Sequence, residues 1–226
     1  MKVTLVAVTE PRFKDPNTDN NLTADEFVAY VARVSNPSNQ HNTLTAPKLL
    51  KYLVENKHWS PFELVDVVFE IETTRDIGRQ ILRHRSFSFQ EFSQRYADPT
   101  SSLGFVTREA RLQDKKNRQN SIETSDEGLH MEWENRQESL AQEALNLYNW
   151  ALSAGIAKEQ ARAVLPEGLT LSRMYMKGSL RSWIHYCMVR MDPSTQKEHR
   201  DIASDIWSKI IIEFPSLANL DMKNEK

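Results

Sequence analysis

Apolar residues recur along the chain at two spacings, which divide it into short strands near the N-terminus and longer helices beyond. Lys2 to Thr9 alternates well enough for a first strand, ended by Pro11. The polar run 15–21 contains Pro16 and reads as a loop. Thr23 with Glu26 three residues on is a capping box, predicting a helix that carries Phe27, Val31 and Val34 on its packing side until the stretch Asn36 to Asn42 breaks it. A second helix is expected from Pro47 to Asn56, with proline in its first turn and Leu49, Leu50 and Leu53 for burial. Val65, Val67, Phe69 and Ile71 alternate with Asp66, Glu70 and Glu72, the period of a half-buried strand. Thr73 and Thr74 then cap a helix over 75–84 that packs through Ile77 and Ile81.

The stretch 107–130 is polar, mixed in charge and almost free of large aliphatics, so it reads as an excursion or lid. Helical spacing returns over 131–156, where Leu140, Ala144, Leu147 and Ala151 form one stripe, until Pro166-Glu167-Gly168 interrupts. A helix is expected over 172–190, a break at Asp192-Pro193, and a last helix carrying Ile202, Ile206, Ile210 and Ile211. These elements predict an α+β fold: an antiparallel sheet flanked by long helices, with a helical C-terminal half. They form one domain over 1–215, followed by a polar tail over 216–226.

Composition narrows the classes. The 226 residues are 39% hydrophobic and 27% charged, a folding composition. A net charge of −2 speaks against a general nucleic-acid binder, so any anion site must be local. Cys187 is the only cysteine, which excludes an intrachain disulfide and points to a reducing compartment. The N-terminus lacks a long apolar core and meets charge at Glu10. No run approaches the roughly 18 to 20 apolar residues of a membrane span. A soluble, cytoplasmic protein without membrane partners is expected (in the host cytoplasm for a viral chain).

Candidate chemistry gathers in one place. Arg75, Arg79, Arg83, Arg85 and Arg95 fall within 21 positions, opposed there only by Asp76 and Glu91. Arg79 and Arg83 are i,i+4 neighbours, and such like charges call for an anion or for carboxylates elsewhere in the fold. From Arg83 to Tyr96 these cations interleave with aromatics, hydroxyls and amides, a mixture suited to a phosphorylated, ring-bearing ligand. Salt bridges to Asp66, Glu70 and Glu72, or a grip on RNA, are the competing readings.

The segment resembles the signature of the flavin-dependent thymidylate synthases: Arg-His-Arg, two residues, Ser, four residues, Ser, one residue, Arg. Arg83-His84-Arg85, Ser88, Ser93 and Arg95 meet it. Ala32-Arg33-Val34-Ser35, His58-Trp59-Ser60-Pro61-Phe62-Glu63, Arg79-Gln80, Ala161 to Pro166 and Arg190-Met191-Asp192 agree in order, so the resemblance covers about 28–213. It implies a homotetramer with shared active sites. The reaction would transfer a methylene group from 5,10-methylenetetrahydrofolate to dUMP, with FAD as cofactor and NADPH as reductant. Arg83, His84 and Arg85 look like flavin contacts, as does His58. Glu91, Ser93, Gln94, Arg95 and Arg162 resemble the nucleotide pocket, with Arg95 and Arg162 on the phosphate. Glu91 is carried over to the flavin side as well. Gln80 and Arg190 look like substrate contacts. Arg190 against a ring carbonyl would stabilise developing negative charge, a catalytic role.

Three positions depart from the family pattern. His185 stands where a flavin-contacting asparagine is usual, Gln90 also replaces asparagine, and Ser194 stands where a histidine is common. The polar excursion is also longer than in a minimal member. These departures leave room for a flavoprotein that modifies a different pyrimidine nucleotide, and a non-catalytic nucleotide- or RNA-binding module is the non-enzymatic rival. Ser93 has no Ser–His–Asp arrangement to activate it and reads as a hydrogen-bonding contact. Cys187 sits in a mostly apolar run and reads as core. His41, His130 and His199 show no metal-ligand spacing, and no metal is expected.

Overall fold

The computed structural model describes residues 1–16, 18–220 and 222. Residue 17 of the expected loop, and residues 221 and 223–226 of the expected tail, lie outside the described residues. The elements run β1 (Lys2–Val8), α1 (Ala24–Ala32), α2 (Ala46–Glu55), β2 (Asp66–Thr74), α3 (Arg75–Ile81) and β3 (Ser88–Glu91). There follow the short α4 (Pro99–Ser102), β4 (Arg111–Gln113), β5 (Ser121–Glu123), α5 (Glu127–Ser153) and the short α6 (Lys158–Ala161). The chain ends with β6 (Leu171–Ser179), α7 (Leu180–Arg190) and α8 (Lys197–Glu213). Four strands form one antiparallel sheet in the order β1-β2-β6-β3, and β4 and β5 make a separate two-stranded ribbon. This is the expected α+β class with an antiparallel sheet and flanking helices.

The largest correction concerns 172–179, expected as the start of a helix and found as strand β6, in the middle of the sheet. Its own alternation explains this. Ser172, Met174, Met176 and Gly178 face inward, while Arg173, Tyr175 and Lys177 face out. The outward residues meet the acidic side chains of β2: Lys177 with Asp66 at 2.7 Å, Tyr175 with Glu70 at 2.6 Å and Arg173 with Glu72 at 3.1 Å. Cross-strand pairs of this kind favour the strand over a helix of mediocre amphipathicity. The helix expected over 172–190 is therefore only its second half, α7.

Smaller differences have similar causes. The capping box at Thr23 is complete, with Thr23 Oγ1 accepting from the Glu26 N–H at 3.1 Å and Glu26 accepting from the Thr23 N–H at 2.8 Å. However, α1 buries Ala24, Val28 and Ala29, whereas Phe27 and Val31 are half-buried and Val34 is exposed. Small residues let the helix lie close to α2, so the packing face follows them and not the larger side chains. α3 ends at Ile81, three residues short of the expected His84. α5 begins at Glu127, capped by Asp126, so the excursion is shorter than expected and ordered as the β4–β5 ribbon. Of its expected stripe, Ala144 and Ala151 are buried but Leu140 and Leu147 remain exposed. At the far end Leu217 is fully buried, and Ser216 hydrogen-bonds the carboxylate of Asp25.

The core lies between the sheet and helices α1, α2, α7 and α8. Phe62, Phe69, Ile71, Met174, Met176, Trp183 and Ile206 are all fully buried there. Each such side chain contributes roughly 1.5–3 kcal/mol by leaving water. Trp183 ties α7 to the sheet by donating its indole N–H to the Val67 carbonyl at 3.0 Å and meeting the Phe69 ring edge-on. Phe87 also packs edge-on against Trp183, with ring centroids 4.7 Å apart. The arginine-rich segment is thereby seated on the core by its aromatic member.

That seating requires glycine at 178, because a Cβ there would stand 2.4 Å from the Phe87 ring. Gly178→Ala is expected to destabilise the fold by about 1–3 kcal/mol, the usual cost of overpacking. Denaturant unfolding measures it, and a change within error would show that Phe87 yields freely.

Candidate active site

The segment 83–96 leaves the end of α3, turns through 84–87 and enters β3, an edge strand on β6. The expected competition for its arginines is settled by partners. Asp66, Glu70 and Glu72 are taken by β6, so they do not neutralise the segment. Arg79 pairs with Glu167, and Arg75 lies between Glu167 and Glu91. Arg95 pairs with Glu159 at 3.2 Å. Arg83 and Arg85 are exposed and make no ion pair among the described residues. They remain available to an anion brought from outside the chain.

His84 and Arg190 meet although 106 positions separate them: Arg190 Nε donates to His84 Nε2 at 2.8 Å. A guanidinium can only donate, so this nitrogen must carry no proton and the ring is neutral with its hydrogen on Nδ1. Burial lowers the His84 pKa to about 4, assisted by the positive charge of Arg190. Tyr186 and Phe87 hold the imidazole edge-on at 4.9 Å and 6.3 Å. The Nη groups of Arg190 form no hydrogen bond or ion pair among the described residues, so its working face is oriented but uncommitted.

Gln80, one helical turn before His84, belongs to the same group. Its Nε2 donates to Gln196 Oε1 at 2.8 Å, and its Oε1 lies 3.3 Å from Nδ1 of the buried His199. His199 Nε2 is 3.0 Å from the Tyr186 hydroxyl. Burial lowers the His199 pKa to about 3, with Arg190 and His84 adding to the effect, and burial raises that of the Tyr186 phenol. His199, read from the sequence as an isolated histidine, is thus part of the site. No local signal announces it, since its partner Gln80 is 119 positions away.

A cleft of about 580 Å³ opens beside this group, between the turn after α3, the end of β6 and the outer face of α7. Trp59, Glu63, Ser86, Lys177, Arg181 and His185 are among its walls. Glu63 accepts from Ser179 at 2.5 Å and from Arg181 at 2.6 Å, and these two bonds hold its pKa below the usual carboxylate range. Of the expected site residues, His185 lines the cleft and His58 adjoins it through Trp59. His58 itself is exposed, its ring 6.0 Å from that of Tyr52. Glu63 stood within a segment noted in the sequence, but its role there was not read. Lys177 was hidden by the mistaken helix.

The remaining expected residues lie at the end of β3, just beyond it, and on the turn Arg162–Val164. Glu91 accepts from Ser172 Oγ at 2.9 Å. Among the described residues Ser93 Oγ accepts only the Arg95 N–H, at 3.4 Å, and no histidine or carboxylate there hydrogen-bonds it. Gln94 is buried, and its Nε2 has no partner among the described residues, leaving an open donor. Arg162 lies three residues beyond Glu159, the partner of Arg95, on the turn Arg162–Val164. Residues 80, 84 and 190 therefore converge, and Arg95 reaches the short helix that leads into Arg162, whereas Arg83 and Arg85 form no bond to either group among the described residues. Cys187 is fully buried in α7 with its thiol toward the Ala203 carbonyl, and burial pushes its pKa up. It is a core residue without access to a ligand.

An uncommitted arginine held by a neutral histidine, exposed cations and a polar cleft with an aromatic wall give this α+β protein groups suited to an anionic, ring-bearing ligand. The model of the family described as thymidylate synthase complementing protein matches residues 18–216. A probable flavin-dependent thymidylate synthase of Paramecium bursaria Chlorella virus 1 is 48% identical over 218 residues, covering 96% of this chain and 97% of the relative. The flavin-dependent thymidylate synthase of Synechocystis is 46% identical, covering 96% and 98%. Among solved structures, a UMP/dUMP methylase PolB from Streptomyces cacaoi bound with 5-Br UMP is similar, with a TM-score of 0.76, 25% identity, and 95% and 90% coverage. The chain belongs to the flavin-dependent thymidylate synthase family.

The neutral histidines set a pH dependence. The unfolded chain takes up protons near the usual value of 6.5, whereas folded His84 and His199 resist them until about 4 and about 3. Their contribution is thus intact above about pH 6.5 and is lost as the pH falls through 4 and 3. Urea midpoints are expected to drop over this window and to drop less in His199→Gln; identical slopes would contradict a neutral His199. Cys187→Ala is expected to retain turnover, and loss of activity in a folded variant would contradict the core assignment.

Proposed function

We propose that this chain reductively methylates dUMP to dTMP, with 5,10-methylenetetrahydrofolate as carbon donor, FAD as bound cofactor and NADPH as reductant. The observation that carries the reading is the His84–Arg190 couple, which joins the signature segment to a guanidinium with free Nη groups. The residues around the cleft fit a flavin. Trp59 and Met188 offer apolar contact, Ser86, Ser88 and Ser182 offer hydroxyls, and His185 keeps a hydrogen-bonding edge where the family usually has asparagine. His58, Arg83 and Arg85 are exposed and available to the cofactor's polar groups. When bound, the flavin supplies the reducing equivalents that convert the transferred carbon to a methyl group.

The chain's own groups then have separable tasks. Arg190 donates to a carbonyl of the pyrimidine and stabilises negative charge as it develops on the ring. His84 holds the Arg190 Nε without competing for its Nη groups, so the guanidinium plane is set before substrate arrives. Gln80 contacts the ring beside it. Glu91, Ser93 and Gln94 bind the nucleotide, and Arg95 and Arg162 take its phosphate. The exposed Arg95–Glu159 pair is worth about 0–1 kcal/mol, so a phosphate dianion displaces it readily. Assembly as a homotetramer with shared sites accounts for the apolar groups left open on α5, among them Met131, Trp133, Leu140 and Trp150. It also gives Arg83 and Arg85 a route to a ligand held by another copy.

Tritium release from dUMP labelled at carbon 5, with folate donor, FAD and NADPH present, tests the reaction. A protein that takes up FAD yet releases no tritium would rule it out. Arg95→Ala is expected to weaken dUMP binding by about tenfold or more, with little effect on deoxyuridine. Equal losses for both ligands would remove Arg95 from the phosphate.

A further inference from the structure

The hydrogen bonds around Gln80 run in one direction. Glu198 is buried and ion-paired with Arg111 of the β4–β5 ribbon, so its carboxylate only accepts. Gln196 must therefore turn its Nε2 toward Glu198, where the bond is 2.9 Å, and its Oε1 toward Gln80. Gln80 answers with Nε2, which leaves its Oε1 facing His199. His199 then carries its proton on Nδ1 and accepts from the Tyr186 hydroxyl at Nε2. Each orientation follows from the one before it, and the first is set by charge. A free glutamine amide turns over easily and offers donor and acceptor in either order; this one does not.

We propose that this one-way chain is a specificity device, locking the Gln80 amide so that the site reads the 4-oxo edge of a pyrimidine nucleotide and rejects the 4-amino edge. The proposal rests on the reading above, in which Gln80 and Arg190 meet the ring. After its bonds to Gln196 and His199, the amide retains one N–H and one lone pair. A uracil edge offers a carbonyl beside an N–H, and a cytosine edge offers an amino group beside a bare ring nitrogen. The two present donor and acceptor in opposite order, so an amide of fixed polarity satisfies one and leaves two unmet polar groups against the other. Arg190 does not make this distinction when it grips the 2-carbonyl, which both rings possess. Glu198, Gln196 and His199 act through Gln80 and are positioning residues.

Glu198→Gln tests the device because it keeps shape while removing the charge. A glutamine at 198 can donate to Gln196, and the whole chain can then run in reverse, with the His199 proton moving to Nε2. Dissociation constants for dUMP and dCMP are measured on the FAD-loaded protein, together with the ¹⁵N shifts of the His199 ring. The wild type is expected to prefer dUMP and to show the Nδ1–H form. Glu198→Gln is expected to narrow the preference by about tenfold, with the ring signals moving toward the Nε2–H form. Gln196→Met, which cuts the chain but leaves the Arg111–Glu198 pair, should narrow it likewise and serves if Glu198→Gln fails to fold. A variant that loses both nucleotides equally, or keeps the wild-type preference, would overturn the proposal while leaving the proposed function standing. A wild type that takes up FAD but binds neither nucleotide would overturn both.

Discussion

An arginine side chain has five donors and no acceptor, and that asymmetry governs the centre of this molecule. For Arg190 to be held by His84, the imidazole must present a bare nitrogen. To present one reliably it must be kept neutral, and burial among Phe87, Tyr186 and His199 does this. The aromatic cluster that seats the signature segment on the core is therefore also what sets the charge state of the site. Packing and electrostatics are here one arrangement described twice, since loosening the cluster would admit water and restore the proton.

The sheet makes that arrangement possible by absorbing charges that would otherwise compete. The acidic side chains of β2 are satisfied by the neighbouring face of β6, residue against residue, and the arginines nearer the helices find Glu167 or Glu159. Among the described residues two cations of the segment are left over, Arg83 and Arg85, and they stand at the point where the chain leaves α3. In a protein with near-neutral overall charge, such a local surplus arises because the fold has placed the matching carboxylates elsewhere.

What could be read from the sequence depended on whether the signal was local. The capping box at Thr23, the alternation of β2, the isoleucine stripe of α8 and the signature motif are all contained within a few consecutive residues, and each was legible. β6 was equally local but was misread: its Met-rich inner face and the strong helical run after it blurred the change of period at Ser179. β3 was obscured by the functional residues it carries. Within the site, His84, Arg190 and Gln80 were marked by resemblance, and their convergence needed the fold. His199, Gln196 and Glu198 had no mark, because a buried hydrogen-bonded chain has no sequence period and its members come from α3, α7 and the start of α8. The burial face of α1 failed for another reason: apolar size was taken as the guide where close helix approach selects alanine.

The β4–β5 ribbon is anchored at one point and self-contained at the other. Arg111 reaches Glu198, while the hydrogen bonds of residues 114–120 stay within the tip or close onto Gln113. Such a division separates two kinds of evolutionary freedom. The base answers to the interior and tolerates little drift, whereas the outer tip over 114–118, held by its own hydrogen bonds, is the part with most room to exchange residues. A lineage can thus remodel this corner of its surface, for new neighbours or new surroundings, without disturbing the chemistry beneath it.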